Sequence, residues 1–318
     1  MSGRAAVVGI DIGGTNLRFA LVTADGDVCS RLRLSTETTR AGFLHQLTAG
    51  IRELQQQAPQ LGCRLVAAGA GVPGLVTRSG EILSSVNLPH CEGVNLAREL
   101  TQSASLPAVV GNDANVAACG EQRFGAGRPY RSFLMVTLGT GVGGGLILDG
   151  RLWTGSDGFA GEFGHMTVEP DGRPCPCGNR GCLEQYASAT ALVAAARETA
   201  LPRRVAESAE SLADAARSGD PGAMALFARA GRYLGIASAA VINLLNIEAI
   251  VVGGGVAASF PLWGEAMRRE IHMRGFRPAV ARVAVVRSEL GDDAGVLGAA
   301  ALAFADYDAA VETVATTE

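Results

Sequence analysis

The feature that most constrains the fold is a pattern that occurs twice: an apolar strand, a glycine-rich loop and then a hairpin. The first copy runs from a strand at 5–10 through the loop 11–16 into a hairpin that turns at Asp25. The second copy runs from another apolar strand through the loop 139–145 into a hairpin at Asp149. A dinucleotide-binding domain passes from its glycine loop directly into a helix, so the hairpins argue against one. The chain is therefore predicted to be an α/β protein with two related halves.

The remaining elements follow from the spacing of apolar residues. Helical spacing predicts helices at 41–58, 114–124, 183–199, 208–217, 221–246 and 293–305. Short apolar runs predict further strands at 64–70, 107–110, 132–138, 247–252 and 282–287. Because 318 residues exceed what one hydrophobic core usually supports, two domains are expected. We predict a smaller domain of residues 1–118 plus 296–318, and a larger one of residues 119–295.

The chain contains no lysine, so all 27 of its basic residues are arginine. Schiff-base and pyridoxal phosphate chemistry need a lysine amine, and a Walker A loop needs a lysine on the phosphates. If this chain handles nucleotide phosphates, then backbone N–H groups, a metal ion or arginine must contact them. The formal net charge of −4 argues against a nucleic-acid partner.

The sequence also predicts a cytoplasmic protein without a membrane partner. Its longest apolar stretch, 234–242, is followed by polar residues before it could span a bilayer. The N-terminal apolar run is too short for a signal peptide.

Three glycine-rich loops each follow an apolar strand, and together they suit phosphate binding better than simple turns. Glycine lets the backbone approach a phosphate and point its N–H groups at it. Asp11 at the first loop can hold Mg²⁺ through water, because Mg²⁺ dehydrates reluctantly. The third loop suits adenine or ribose. Taken singly, each loop could be an ordinary turn; the residues concerned are Asp11, Gly13, Gly14, Thr15, Asn16, Gly139, Thr140, Gly141, Gly143, Gly253, Gly254 and Gly255.

Asp113 is the candidate acid–base residue, because it lies where a strand ends and a helix begins. A lone aspartate at such a junction is most often a helix N-cap. In a kinase the same position would let the carboxylate accept the proton of a hydroxyl that faces the γ-phosphate. Phosphoryl transfer needs mainly positioning and charge neutralisation, so one carboxylate base with Mg²⁺ suffices.

A cysteine cluster with a nearby histidine predicts a metal site. His165, Cys175, Cys177 and Cys182 make a complete Cys₃His set, which is typical of structural zinc. Four protein ligands leave no position for an activated water, which argues against a zinc hydrolase. Glu162 and Glu184 flank the cluster, and their carboxylates suit sugar hydroxyls. Each glutamate alone is more often a solvated surface charge.

These motifs together resemble the ROK family (repressors, uncharacterised reading frames and kinases), and within it the bacterial glucokinases. The resemblance covers nearly the whole chain. It rests on DIGGTN, GVPG, NLP, GNDANVAACGE, GTGVGGG, AGEFGH, CPCGNRGCLEQYAS, VVGGGV and DDAGVLGAA. The cysteine element with its upstream glutamate and histidine is highly specific, whereas the glycine loops are not.

The resemblance implies an actin-like ATPase fold, related to ribonuclease H, with two domains around a central cleft. It implies ATP and Mg²⁺ as cofactors, structural Zn²⁺, and a homodimer or homotetramer. Asp113 becomes the catalytic base, and the implied sugar ligands are Asn87, Asn112, Asp113, Glu162, His165 and Glu184.

This chain departs from many relatives in three places. Asn16 replaces a lysine, His90-Cys91 replaces an aromatic residue, and Leu183 replaces a tryptophan. These departures leave the acid–base centre unchanged but bear on the choice of sugar.

The resulting expectation is a kinase that transfers the γ-phosphate of ATP to the 6-hydroxyl of glucose. A kinase for N-acetylmannosamine or N-acetylglucosamine would share almost every motif. A sugar-sensing repressor of the same family carries a helix-turn-helix segment ahead of the first glycine loop. Only ten residues precede Asp11, which favours the kinase.

Overall fold

A computed structural model describes residues 3–317, and the side chains of residues 3–311. The chain forms two compact units: unit 1 is Met1–Pro129, Leu152–Ala160 and Glu289–Glu318, and unit 2 is Tyr130–Arg151 and Gly161–Ser288. These bounds differ from the predicted ones, because the predicted boundaries at 118 and 295 both fall inside helices. The outermost ends of the predicted smaller domain, residues 1–2 and 318, lie outside the described residues.

Unit 1 is built on a five-stranded sheet in the order β3-β2-β1-β4-β8, with a small three-stranded sheet, β5-β6-β7, beside it. Its strands are β1 Arg4–Ile12, β2 Asn16–Thr23, β3 Val28–Ser35, β4 Cys63–Val72, β5 Leu75–Val76, β6 Glu81–Ser84, β7 Val94–Asn95 and β8 Ala108–Asn112. Its helices are α1 Arg40–Gln57, α2 Leu96–Ala104, α3 Asp113–Phe124 and α10 Ala294–Thr317.

Unit 2 is built on a second five-stranded sheet in the order β11-β10-β9-β12-β13. Its strands are β9 Phe133–Leu138, β10 Val142–Leu148, β11 Arg151–Trp153, which extends past the boundary at 151/152, β12 Ala249–Gly253 and β13 Ala284–Arg287. Its helices are α4 Glu184–Ala187, α5 Ala189–Arg197, α6 Ala209–Arg217, α7 Pro221–Leu245, α8 Phe260–Arg274 and α9 Arg277–Val280. Short 3₁₀ turns in the two units span Ala58–Leu61, Pro89–Cys91, Phe163–His165, Gly255–Ser259 and Gly291–Asp293.

The two sheets have the same plan, which confirms the predicted repetition. In each, the first strand of the unit pairs antiparallel with the second across a glycine loop. In unit 1, β1 also pairs parallel with β4, and β4 pairs parallel with β8. In unit 2, β9 likewise pairs parallel with β12, and β12 pairs parallel with β13. Parallel strands need a crossover connection, and these connections contain α1 and α2 in unit 1 and α4 to α9 in unit 2, whereas α3 and α10 follow the last strand of unit 1.

Helix α10 packs directly on the sheet of unit 1, and glycine makes this contact possible. A Cβ on Gly9 of β1 would lie 2.0 Å from the carbonyl oxygen of Val296, and one on Gly69 of β4 would lie 2.0 Å from that of Ala299. No larger residue fits at either position without moving the helix backbone. The sequence therefore fixes how closely α10 approaches β1 and β4.

The helix predicted at 183–199 is wrong in one respect: it is two helices, α4 and α5, broken at Ser188. The Ser188 side chain accepts a hydrogen bond from the N–H of Ala191 and so caps α5. The last helix continues to Thr317 rather than ending at 305. Helices α2 and α8 and the small sheet were not predicted.

Two described helices are long and apolar enough, by length and composition, to cross a membrane: Pro221–Leu245 and Gly291–Val311. Their most apolar windows are 67% and 44% buried within the protein. Core helices pass the same test, so this is weak evidence for a membrane span.

Candidate active site

Asn112, the last residue of β8, caps helix α3. Its Oδ1 accepts hydrogen bonds from the N–H groups of Ala114 (2.9 Å) and Asn115 (3.3 Å). Its Nδ2 donates to the carbonyl oxygen of Gly74 at 3.0 Å. The alternative interpretation of Asp113 as the N-cap is therefore wrong, because the preceding asparagine has that role.

Asp113 is the first residue of α3, and its side chain is exposed. Its Oδ1 accepts a hydrogen bond from the N–H of Ala114 at 2.8 Å. A carboxylate at the first turn is stabilised by the positive end of the helix dipole. The predicted base thus lies on a rigid element, with its carboxylate at the surface of unit 1.

The first glycine loop connects β1 to β2 and is held by Thr36. The N–H of Thr36 donates to the carbonyl oxygen of Thr15 at 2.9 Å, and its hydroxyl donates to that of Gly13 at 2.7 Å. Gly14 lies against Asn87, since an added Cβ would be 3.3 Å from the Asn87 carbonyl oxygen. The structure therefore brings Asn87 next to this loop.

Asp11 is not an isolated carboxylate. Arg18 donates from Nε to its Oδ2 at 2.8 Å, and the two residues form an ion pair. They face each other across the β1–β2 pairing, so the hairpin register brings them together. The carboxylate also lies against Gly295 at the start of α10. Arg18 was missed by sequence reasoning, although the hairpin spacing could have indicated it.

The second glycine loop is held by the start of α4 and α5. Glu184 Oε2 accepts a hydrogen bond from the N–H of Val142 at 2.9 Å. The carbonyl oxygen of Gly139 accepts from the N–H of Ala189 at 2.8 Å, and that of Thr140 accepts from the Thr190 hydroxyl at 2.9 Å. Glu184 thus has a contact with the loop backbone that the sequence did not predict.

The third glycine loop adjoins the second, because Gly253 of β12 pairs with Thr137 of β9. Its glycines have different surroundings. Gly254 has φ +86° and its added Cβ would lie 2.4 Å from the carbonyl oxygen of Leu138, whereas a Cβ on Gly255 would meet nothing within 4 Å. Gly254 is therefore required by the fold, and Gly255 is not.

Four residues of unit 2 converge as a group that could hold a metal ion, here named the metal group: His165, Cys175, Cys177 and Cys182. Their ligand atoms all lie within 4.8 Å of one another. The Nδ1 of His165 lies 3.7 Å from Cys175 Sγ, and the Sγ atoms of Cys177 and Cys182 lie 3.6 Å apart. Burial raises the pKa of the Cys182 thiol to about 12, and the neighbouring thiols add to this. A bound cation is therefore the natural means of keeping this sulfur ionised.

His165 turns its other ring nitrogen, Nε2, toward Glu162, 3.8 Å from that carboxylate. Burial raises the pKa of Glu162 above its usual value; His165 opposes the increase, and the charge of Glu184 adds to it. The structure thus brings Glu162, His165 and Glu184 together beside the second glycine loop.

The predicted site residues fall into two sets, one on each unit. Those of unit 1 are Asp11, Gly13, Gly14, Thr15, Asn16, Asn87, Asn112 and Asp113. Those of unit 2 are Gly139, Thr140, Gly141, Gly143, Glu162, His165, Cys175, Cys177, Cys182, Glu184, Gly253, Gly254 and Gly255.

The sequence matches the ROK family over residues 7–306. It is 35% identical over 312 residues to the glucokinase of Thermotoga maritima, a match that covers 93% of this chain and 96% of that protein. A xylose repressor of Bacillus subtilis is 29% identical over 292 residues, which cover 92% of this chain and 75% of the repressor.

Two solved structures are closely similar to this fold. A ROK hexokinase from Thermus thermophilus superimposes with a TM-score of 0.83 at 32% identity, covering 95% of this chain and 99% of that one. A ROK family glucokinase from Streptomyces griseus, solved with glucose and AMPPNP, gives a TM-score of 0.78 at 34% identity, covering 94% and 99%. The chain belongs to the ROK family and has the actin-like ATPase fold.

The contrast between Gly254 and Gly255 gives a test of the fold around the third loop. Gly254→Ala should lower the free energy of unfolding by about 2–4 kcal/mol, because it combines a left-handed backbone with a clash against backbone. Gly255→Ala is the matched control and should change it by less than about 0.5 kcal/mol. Urea denaturation measures both. Equal losses of unfolding free energy for the two variants would contradict the described structure of this loop.

Proposed function

We propose that this chain, an ATP-dependent sugar kinase, phosphorylates glucose at its 6-hydroxyl with Asp113 as the general base. The observation that carries the proposal is the exposed carboxylate of Asp113 at the first turn of α3. The similarity to named glucokinases supports glucose as the sugar.

Asp113 would accept the proton of the attacking hydroxyl as the new P–O bond forms and the bond to ADP breaks. The cap made by Asn112 supports this role, because Asn112 accepts the N–H groups of both Ala114 and Asn115, whereas the exposed Asp113 carboxylate shares only the Ala114 N–H with that cap. A carboxylate held on a rigid helix terminus costs little entropy to orient toward a bound hydroxyl.

The sugar would be held by Asn87, Asn112, Asp113, Glu162, His165 and Glu184. Asn112 has little hydrogen-bonding capacity to spare, since its oxygen already accepts two N–H groups and its amide donates to Gly74. Its remaining amide N–H is the group available to a sugar oxygen. Glu162 and Glu184 would accept sugar hydroxyls as carboxylates.

ATP would be bound by backbone N–H groups of the three glycine loops, since the chain contains no lysine. Asp11 would hold Mg²⁺ through water, and Mg²⁺ would neutralise charge on the transferred phosphate. The ion pair with Arg18 supports an indirect role for Asp11, because part of its carboxylate is already engaged. The open space at Gly255 suits an approaching adenine or ribose.

The metal group would bind a structural zinc ion. A tetrahedral zinc with bonds of about 2.3 Å to sulfur and 2.0 Å to nitrogen separates its ligand atoms by about 3.5–3.8 Å. The sulfur–sulfur distance of 3.6 Å and the sulfur–nitrogen distance of 3.7 Å agree with that spacing. Zinc bound at Nδ1 would orient His165 so that Nε2 remains directed at Glu162.

Substrate choice is tested by a coupled ADP-release assay with glucose, mannose, fructose, N-acetylglucosamine and N-acetylmannosamine. We expect the highest kcat/KM with glucose. A higher value with an N-acetylated hexosamine would replace glucose by that sugar and leave the kinase assignment standing. Absence of ADP release with every sugar would favour a sugar-sensing regulator.

A homodimer or homotetramer also stays a prediction.

The role of Asp113 is tested by Asp113→Asn. We expect kcat to fall by about 10²–10⁴-fold, because the amide cannot accept the hydroxyl proton. KM for the sugar should change little, since the amide oxygen still accepts hydrogen bonds. The control is Asp25→Asn, at an exposed hairpin turn, which should keep normal kcat. A near-normal kcat for Asp113→Asn would remove Asp113 as the base.

The metal proposal predicts about one zinc per chain by elemental analysis. Cys177→Ser should lose most of the zinc and unfold at a lower temperature, because the ion holds a loop with little core of its own. Cys91→Ser is the control and should keep its zinc, since Cys91 is buried in the core of unit 1 and does not belong to the metal group. Folded wild-type protein without zinc would contradict the assignment.

A further inference from the structure

Two cysteines that no part of the proposed function uses meet in unit 1. Cys29 lies near the start of β3 and Cys63 begins β4, and their Sγ atoms are 3.7 Å apart. Cys63 is 4% exposed, whereas Cys29 is only half-buried. Solvent can therefore reach the Cys29 thiol, and the Cys63 thiol lies directly behind it.

A β-bulge accounts for the position of Cys29. In the β2–β3 pairing, Leu21 opposes Ser30 and Val22 opposes Val28, so Cys29 is the extra residue. A bulge redirects a side chain out of the regular alternation of its strand. Cys29 packs against the same core as Cys63.

The end of α1 brings the second cysteine to this place. Gln57, the last residue of α1, accepts a hydrogen bond from the Ser30 hydroxyl at 2.7 Å. The chain then makes one 3₁₀ turn, Ala58–Leu61, and enters β4 at Cys63. The Cys29–Cys63 contact is therefore flanked by Ser30, which is hydrogen-bonded to the end of α1, and by the 3₁₀ turn that leads into β4.

We propose that Cys29 and Cys63 form a reversible disulfide by exchange with a low-molecular-weight disulfide. The Cys29 thiol loses its proton to solvent, and the thiolate attacks one sulfur of that molecule and releases its other half as a thiolate. Cys63, also deprotonated, then attacks the Cys29 sulfur and releases the second half. The protein loses two electrons and two protons, and the small disulfide is reduced to two thiols.

The link would close a loop of the chain that includes β3, Thr36 and α1. Thr36 holds the first glycine loop, so the disulfide would secure the segment that supports that loop. Cross-linking a loop of this length restricts the unfolded chain and stabilises the folded one. Cys29 lies at the opposite end of β3 from Thr36, about 20 Å along the strand. The link should therefore raise stability while leaving kinase turnover unchanged.

Peptide mapping tests the proposal with the full-length protein. Because the chain has no lysine, trypsin cuts only after arginine, and the two cysteines fall in peptides 19–31 and 53–64. Burial and the neighbouring Cys63 raise the pKa of Cys29, so excess oxidised glutathione is applied at about pH 8.5, where more thiolate is present. We expect a cross-linked peptide that dithiothreitol separates, and a Tm higher by about 5 °C or more than that of the reduced protein.

The controls separate this pair from the other cysteines. Cys29→Ser and Cys63→Ser should each abolish both the cross-linked peptide and the rise in Tm. Cys91→Ser and Cys119→Ser should retain both, since each of these residues is buried elsewhere. Peptides 19–31 and 53–64 that stay separate in the oxidised wild-type protein would overturn the proposal. So would a stable glutathione adduct on Cys29 that Cys63 does not displace.

Discussion

The capping of helix α3 by Asn112 is the interaction on which the rest of the site in unit 1 depends. Its Oδ1 accepts two N–H groups at the helix start, and its Nδ2 donates to Gly74 in the neighbouring turn. One side chain thus joins the end of β8, the start of α3 and the turn after β4. Because Asn112 is the N-cap, the adjacent Asp113 contributes only a shared hydrogen bond from the Ala114 N–H, and its side chain is exposed.

In unit 2, the metal group would have a similar role in holding site residues in place. The segment from His165 to Cys182 contains no named helix or strand apart from one 3₁₀ turn that ends at His165, and turn hydrogen bonds with two isolated β-bridges bring its four ligand residues together. The chain then enters α4, whose first residue, Glu184, accepts a hydrogen bond from Val142 at the second glycine loop. A bound metal would therefore support the loop as well as Glu162 and His165. If the metal group holds zinc, loss of the ion should therefore affect function although zinc would have no part in the chemical step.

Much of this structure could be predicted from the sequence because the repeated strand–loop–hairpin pattern is a local signal. The strands, the glycine loops and the metal group depend on residues that are close in the chain, and spacing alone indicates them. Contacts between distant residues could not be predicted in the same way. Thr36 holds the loop at Gly13, and Ser188 breaks a helix that apolar spacing would have continued. The meeting of Cys29 with Cys63 depends on a bulge, which changes register by a single residue.

The central claim is that the Asn112 side chain stabilises the start of α3, whereas the Asp113 carboxylate acts as the general base. The most direct test is the free energy of unfolding of Asn112→Ala compared with that of Asp113→Asn, measured by urea denaturation. The account predicts a loss of about 1–2 kcal/mol for Asn112→Ala, from the missing cap, and a smaller loss of about 0.3–1 kcal/mol for Asp113→Asn, from the weaker interaction of a neutral amide with the helix dipole. An equal or larger loss for Asp113→Asn would contradict the division of roles between the two residues.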